Sequence, residues 1–194
     1  MAVERLAIRD QIVSSARNIF NRYGFKKATM DEIARAMGKG KSSIYYYFKS
    51  KEEIYEAVVN HEAGILKNEI LKSVSQADNP VDKLRNYVFT RMKALKKVSI
   101  YYEAMASDVL SHYELINQMR EKYDREEIRI LKEILEEGHK QDVFRVEEAE
   151  LTSFAIVTAL KGLEIPMFWS NKRKDAEINL DRLLNVLFYG IIKH

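Results

Sequence analysis

Gly40-Lys41-Ser42 ends as a phosphate-binding loop ends, with a glycine for close backbone approach, a lysine for charge and a hydroxyl for a metal ion. That chemistry also needs a glycine five residues before Gly40, and Arg35 stands there. It needs a strand ahead of the loop, whereas Thr29–Met37 has helical spacing, so this nucleotide site is rejected. The four histidines, His61, His112, His139 and His194, share no short ligand spacing and no HExxH pair. Each reads as a surface or core histidine, and no metal site is expected. Cysteine is absent, which removes thiolate ligands, Cys nucleophiles and disulfides. No G-x-S-x-G turn presents a serine, and Glu126-Glu127 and Glu136-Glu137 are the kind of carboxylates that line solvated helix faces. No catalytic residue and no cofactor is expected, and the chain does not read as an enzyme.

What remains is charge. Residues 1–51 hold 11 Lys or Arg against four carboxylates, a net of +7. Residues 52–194 hold 21 against 25, a net of −4. A basic end on an acidic body fits a polyanion partner for that end alone, though a solvated basic surface has the same composition. Only seven Gly and two Pro occur in 194 residues, too few for the tight turns of sandwiches, barrels or α/β folds. An all-α chain of this length buries roughly 70% of its unfolded surface without staples. No apolar run approaches ~18 residues, so no membrane partner is expected. MAVERLAIRD lacks the apolar centre of a signal peptide, and the expected location is cytoplasmic.

Helices must position any site. Ile8, Ile12, Ala16, Ile19, Phe20 and Tyr23 recur at helical spacing over Glu4–Tyr23. Gly24 fits a left-handed stop, with Phe25 placed to pack back. Thr29-Met30-Asp31-Glu32 is a capping box opening a short helix with Met30, Ile33, Ala34 and Met37 on one face; Gly38 ends it. A third short helix is expected from Gly40 to Tyr47. Ser50-Lys51-Glu52-Glu53 caps a long helix reaching Val74. Asn79-Pro80 starts the next, with inner stripe Val81, Leu84, Val88, Met92 and Leu95. Further helices are expected over Tyr101–Leu110, from the capping box at Ser111 to His139, over Glu147–Ile165 until Pro166 disturbs it, and over Asp175–Ile192, with a loop at Lys140–Arg145. No flexible linker separates the basic end from the rest, so the expected domains are 1–50 and 51–194.

Thr29 to Phe48 carries the most information. A helix-turn-helix needs a small residue where its helices cross, a glycine in the turn and an apolar residue locking the second helix. Ala34, Gly38 and Ile44 occupy those places, four and then six residues apart. The stretch GFKKATMDEIARAMGKGKSSIYYYFKSKEEIYEAV further resembles the TetR family of bacterial transcription regulators. Its pattern is met by Gly24-Phe25, Thr29, Ile33-Ala34, Gly38, Ile44-Tyr45-Tyr46-Tyr47-Phe48 and Lys51-Glu52. Two positions depart from it. Lys39 stands where the family prefers a small apolar residue, and Gly40 where it often has a Ser-type cap. Lys39 is accordingly expected to reach for phosphate instead of packing.

The resemblance implies an N-terminal three-helix DNA-binding domain followed by a larger helical effector-binding and dimerisation domain. It implies that Lys41, Ser42 and Ser43 start the recognition helix and face bases. Tyr45 would touch base or backbone, and Tyr46 and Tyr47 would reach phosphates. Thr29 and Lys51 would hold phosphates from two neighbouring helix starts. Helix N–H groups joined to a hydroxyl or ammonium suit an anion. The same residues would also serve as plain caps, core aromatics and solvated lysines.

Between residues 87 and 123, Tyr87, Phe89, Met92, Tyr101, Tyr102, Met105, Tyr113, Met119 and Tyr123 make an adaptable apolar set. In the resembled family this region encloses an effector, so Tyr87, Met92, Tyr102, Met105 and Tyr123 are the candidate ligand residues; an ordinary core has the same spacing. Ala155, Thr158, Ala159 and Gly162 line one side of a helix, and Leu180, Leu183, Leu184, Leu187, Phe188 and Ile191 form a broad stripe. Together they point to a four-helix dimer interface, with Ala155, Gly162, Leu180, Leu184, Leu187 and Phe188 as its candidates.

The expected function is a homodimeric TetR-like regulator, a repressor of a palindromic double-stranded DNA operator, released by a small, largely apolar effector acting through the long helix after Ser50. Two alternatives are an effector-free architectural or protein-interaction dimer on DNA, and a ligand-binding protein with a vestigial DNA contact.

Overall fold

The computed structural model describes the backbone of residues 2–94 and 113–169, and side chains within 5–94 and 121–162. Seven helices are described: α1 Ala2–Lys27, α2 Met30–Ala36, α3 Lys41–Tyr47, α4 Lys51–Ser75, α5 Pro80–Ala94, α6 Tyr113–Lys140 and α7 Ala149–Trp169. The expected helices over Tyr101–Leu110 and Asp175–Ile192, the cap at Ser111 and Leu95 lie outside the described residues. The chain forms two units. Among the described residues the first holds 2–67, and the second holds 68–94 and 113–169.

In the first unit, Gly24 has φ +72 and ψ 162, and α1 bends there before one more turn to Lys27. Phe25 turns back as its position after that glycine requires. Its ring centroid lies 5.9 Å from Phe20 and 4.6 Å from Tyr55 on α4, and Phe20 and Tyr55 meet edge-on at 5.2 Å. Ile12, Ala16 and Phe20 of α1, Ile33 and Ala34 of α2, Ile44 of α3, and Ile54 and Val58 of α4 are buried together with Phe48. Arg17 donates to the fully buried Glu62 at 2.6 Å, tying α1 to the middle of α4. These ties explain why the unit runs on to Lys67 and does not end where α4 begins.

The capping boxes form with one variation. Thr29 and Glu32 satisfy each other's backbone N–H groups. At α4 the Ser50 hydroxyl accepts from the Glu53 N–H at 3.2 Å, but the Glu53 carboxylate reaches the Lys49 N–H at 2.6 Å, one residue beyond the cap. Asn79 caps α5 by accepting from the Asp82 N–H at 2.9 Å.

In the second unit, α6 packs against both α5 and α7. Leu84, Tyr87, Val88 and Met92 of α5 are buried, as are Ile130, Leu131, Ile134 and Leu135 of α6 and Ile156, Val157 and Leu160 of α7. Val81, expected in the inner stripe of α5, is only half-buried. The Gly138 carbonyl accepts from Val143 and Phe144 at 2.9 and 3.1 Å, turning the chain so that Phe144 packs beneath α6. The helix expected to be disturbed at Pro166 instead runs on to Trp169. Pro166 has no N–H to donate to the Gly162 carbonyl, so the helix continues there one backbone hydrogen bond short.

Candidate nucleic-acid interface

The helix-turn-helix is built from local chemistry. Gly38 sits at φ +63, where a side chain would be strained, and its N–H donates to Arg35 at 3.0 Å. The Lys39 N–H closes the turn on the Ala34 carbonyl at 3.0 Å, and the Lys39 side chain is exposed. Gly40 is the cap of α3 and supplies no side-chain bond. Ala34 and Ile44 are both buried where α2 meets α3.

This anchoring decides which way the rest of α3 points. Ile44 and Phe48 are fully buried, so the residues between and before them face outward. Lys41, Ser42 and Ser43 are exposed, Tyr45 and Tyr46 are 46% and 67% exposed, and Tyr47 is half-buried. Tyr46 and Tyr47 meet edge-on at 5.0 Å. Lys41 donates to Asp31 at 2.9 Å, both side chains being about half exposed. That hydrogen bond, then the charge of Asp31, raises the Lys41 ammonium above its ordinary 10.5. Lys41 is therefore a full cation throughout the neutral range.

Thr29 is exposed, and both roles of its hydroxyl are taken within the capping box. It accepts from the Glu32 N–H at 3.2 Å and donates to the Glu32 carboxylate at 2.9 Å. Lys51 is engaged more deeply. Its ammonium donates to the carbonyls of Phe25 and Ala28 at 2.8 and 3.1 Å and lies 4.4 Å from the centre of the Phe25 ring. The last carbonyls of α1 need donors, and a lysine opening the helix packed on them supplies three. Lys51 thus holds the α1–α2 corner, a task that sequence reasoning did not give it.

Sequence reasoning also missed a polar cluster in the second unit. Tyr87, Met92 and Tyr123 are buried there, and Tyr102 and Met105 lie outside the described residues. The Tyr87 hydroxyl and the Arg91 guanidinium both donate to Glu127, at 3.2 and 2.9 Å, with Arg91 almost wholly buried. The available signal was Arg91 itself, one turn after Tyr87 on the buried side of α5. On α7, Ala155, Thr158, Ala159 and Gly162 are exposed beside Leu151 and Phe154, which are 58% and 56% exposed. Leu180, Leu184, Leu187 and Phe188 lie outside the described residues. Among the described residues no cluster of His, Asp or Glu could hold a metal ion, and no helix is long and apolar enough to cross a membrane.

A helical head that buries one side of a short helix and turns cations, hydroxyls and tyrosines outward is a helix-turn-helix DNA-binding domain. Residues 12–58 match the pattern of the bacterial regulatory proteins of the tetR family. The match covers the DNA-binding head, residues 12–58, and identifies that head as a helix-turn-helix of the tetR family type. The chain is similar to IcaR of Staphylococcus aureus (strain Newman), the negative transcriptional regulator of the biofilm operon icaADBC, at 26% identity over 139 residues, 65% of this chain and 75% of that one. Its fold is that of a transcriptional regulator from Cytophaga hutchinsonii ATCC 33406, with TM-score 0.80 and 22% identity over 95% of this chain and 98% of that one. A regulator from Saccharomonospora viridis, solved in complex with choline, has TM-score 0.78 and 16% identity over 97% and 99% of the two chains.

Proposed function

We propose that the chain represses transcription as a homodimer on a palindromic operator in the cytoplasm and is released by a small, largely apolar effector. The observation that carries this reading is α3, clamped through Ile44 and Phe48 with Lys41, Ser42, Ser43, Tyr45 and Tyr46 turned outward. A helix so held fits a major groove about 12 Å wide. Lys41 would leave Asp31 for a base edge, Ser42 and Ser43 would read beside it, Tyr45 would touch base or backbone, Tyr46 and Tyr47 would meet phosphates, and Thr29 would do so by turning its hydroxyl from Glu32 to a phosphate. Lys51 acts in this reading through the α1–α2 corner that it holds together. Repression as the sign is supported by the negative regulator IcaR.

The second unit would supply the other two properties. The exposed Leu151, Phe154, Ala155 and Gly162 of α7, with the stripe Leu180, Leu184, Leu187 and Phe188, would make the dimer face. Two recognition helices would then read half-sites about 34 Å apart. Tyr87, Met92, Tyr102, Met105 and Tyr123 would line the effector site, and the choline complex of the Saccharomonospora viridis regulator supports a small molecule. Coupling would run through α4, which belongs to both units. In domain terms, residues 1–50 would bind DNA, and 51–194 would bind the effector and dimerise.

The test is selection of bound duplexes from a random pool. A two-fold palindrome should emerge with wild type, and Lys41→Ala should enrich a different base at one position of each half-site. A pool without any enriched sequence would overturn the reading.

A further inference from the structure

We propose that Arg5 and Arg9 of α1 form a second DNA contact, a phosphate clamp beside α3; this rests on α3 being the helix that reads DNA. The two arginines stand one turn apart on one side of α1, ahead of the family-matched residues 12–58. Both are exposed. The Arg5 guanidinium lies 5.3 Å from the ring centre of Tyr46, and that of Arg9 lies 4.6 Å from the ring centre of Phe48. Tyr46 is the most exposed aromatic of α3, and Phe48 is the buried residue that ends the same helix. The two cations are therefore held along the flank of the surface already described.

Stacking suits this work. A guanidinium on an aromatic face keeps its N–H groups around its rim, where they can donate in pairs to phosphate oxygens. The ring restricts the side chain before DNA arrives, so less freedom is lost on binding. A lysine ammonium can lie over a ring, but it has no planar edge to present at the same time. The net charge of +7 over residues 1–51 favours a polyanion over any other partner for this flank. Phosphate contacts add affinity and orientation without sequence preference, complementing α3.

The test is binding to a random-sequence duplex and to the duplexes that wild type selects, over a range of salt. The variants are Arg5→Gln/Arg9→Gln, Arg5→Lys/Arg9→Lys and Lys41→Ala. The Gln pair should weaken binding to all duplexes alike and reduce the salt slope by about 1.8, each lost contact accounting for about 0.9. The Lys pair should fail to restore wild-type affinity although it restores the charge. Full recovery by the Lys pair would overturn the stacked clamp in favour of charge alone. An unchanged slope for the Gln pair, with Lys41→Ala still altering base preference, would overturn the clamp and leave α3 as the reader. No effect from either the Gln pair or Lys41→Ala would remove the α3 reading and the clamp with it. Should the Gln pair lose helix content, Arg5→Gln alone carries the same test with a slope change of about 0.9.

Discussion

The two candidate sites are built in opposite ways. The proposed DNA surface comes from one stretch of about twenty residues and keeps its polar groups in water, as with the half-exposed pair Lys41–Asp31. The polar cluster of the second unit joins residues 36 and 40 positions apart and hides them, as with Arg91 and Glu127. Water competes for every exposed contact, so an exposed pair adds little to folding, and its residues are free to serve a ligand. Buried charges depend on one another, because removing either leaves the other desolvated. Function and stability should therefore separate in the first site and stay joined in the second.

The interior gives the largest expected effect. Glu127→Ala, which strips Arg91 and Tyr87 of a shared acceptor, should cost about 3–5 kcal/mol in urea unfolding. Replacing the pair together, Arg91→Met with Glu127→Leu, should recover most of that, since apolar substitutes of similar volume remove both desolvated charges. Equal losses for the single and the double variant would show that the cluster is not a mutually dependent unit.

The outer face of the second unit offers the contrast within one domain. Leu151 and Phe154 stay exposed although burying such a side chain is worth ~1.5–3 kcal/mol. In the proposed dimer this face is the subunit contact, so Leu151→Glu/Phe154→Glu should give monomers by light scattering while the helical circular dichroism signal is kept. Unchanged dimers would place the subunit contact elsewhere and break the assignment of α7 to it.

A smaller effect is expected in the turn that sets α3. At Gly38, φ is +63 and an added Cβ would touch nothing within 4 Å, so Gly38→Ala should cost only the backbone term, about 1–2 kcal/mol. At Gly138 the reverse holds. The local backbone is helical, but a Cβ would overlap the ring of Phe144, so Gly138→Ala should cost about 1–3 kcal/mol through crowding alone. Restoring space with Phe144→Leu should relieve Gly138→Ala and do nothing for Gly38→Ala.

These glycines also show why one region was legible from sequence and the other was not. Gly24, Gly38, Thr29 and Asn79 act within a few residues of themselves, so spacing alone placed the bend, the turn and two helix starts. The outward turn of Tyr45 and Tyr46 was less legible, because tyrosine is at home both in cores and on surfaces; the burial of Ile44 and Phe48 decides it. The anchoring of Lys51 on the carbonyls of Phe25 and Ala28 was not legible, because main-chain acceptors leave no mark on side-chain patterns. Glu127 looked like one of many solvated helix carboxylates, and only the approach of α5 to α6 brings Arg91 and Tyr87 to it. Pairings across dozens of residues carry no period.

The smallest stability effect belongs to Lys41, and it tests the separation most directly. Its ion pair is exposed, so Lys41→Ala should leave the urea midpoint unchanged within error while altering base preference. The sign of its pH dependence follows from the raised ammonium. Asp31 stabilises the charged form in the folded chain, so the pair's contribution is fully present below 10.5 and fades only as pH rises through the higher folded value. Lys41 therefore keeps its charge throughout neutral pH, and Asp31→Asn should release the ammonium without neutralising it. Asp31→Asn removes a carboxylate that competes with DNA for the same cation, so it should strengthen binding to random and selected duplexes alike. Weaker binding by Asp31→Asn would show instead that Asp31 aims Lys41 at the groove, and the exposed pair would then be part of the reading geometry.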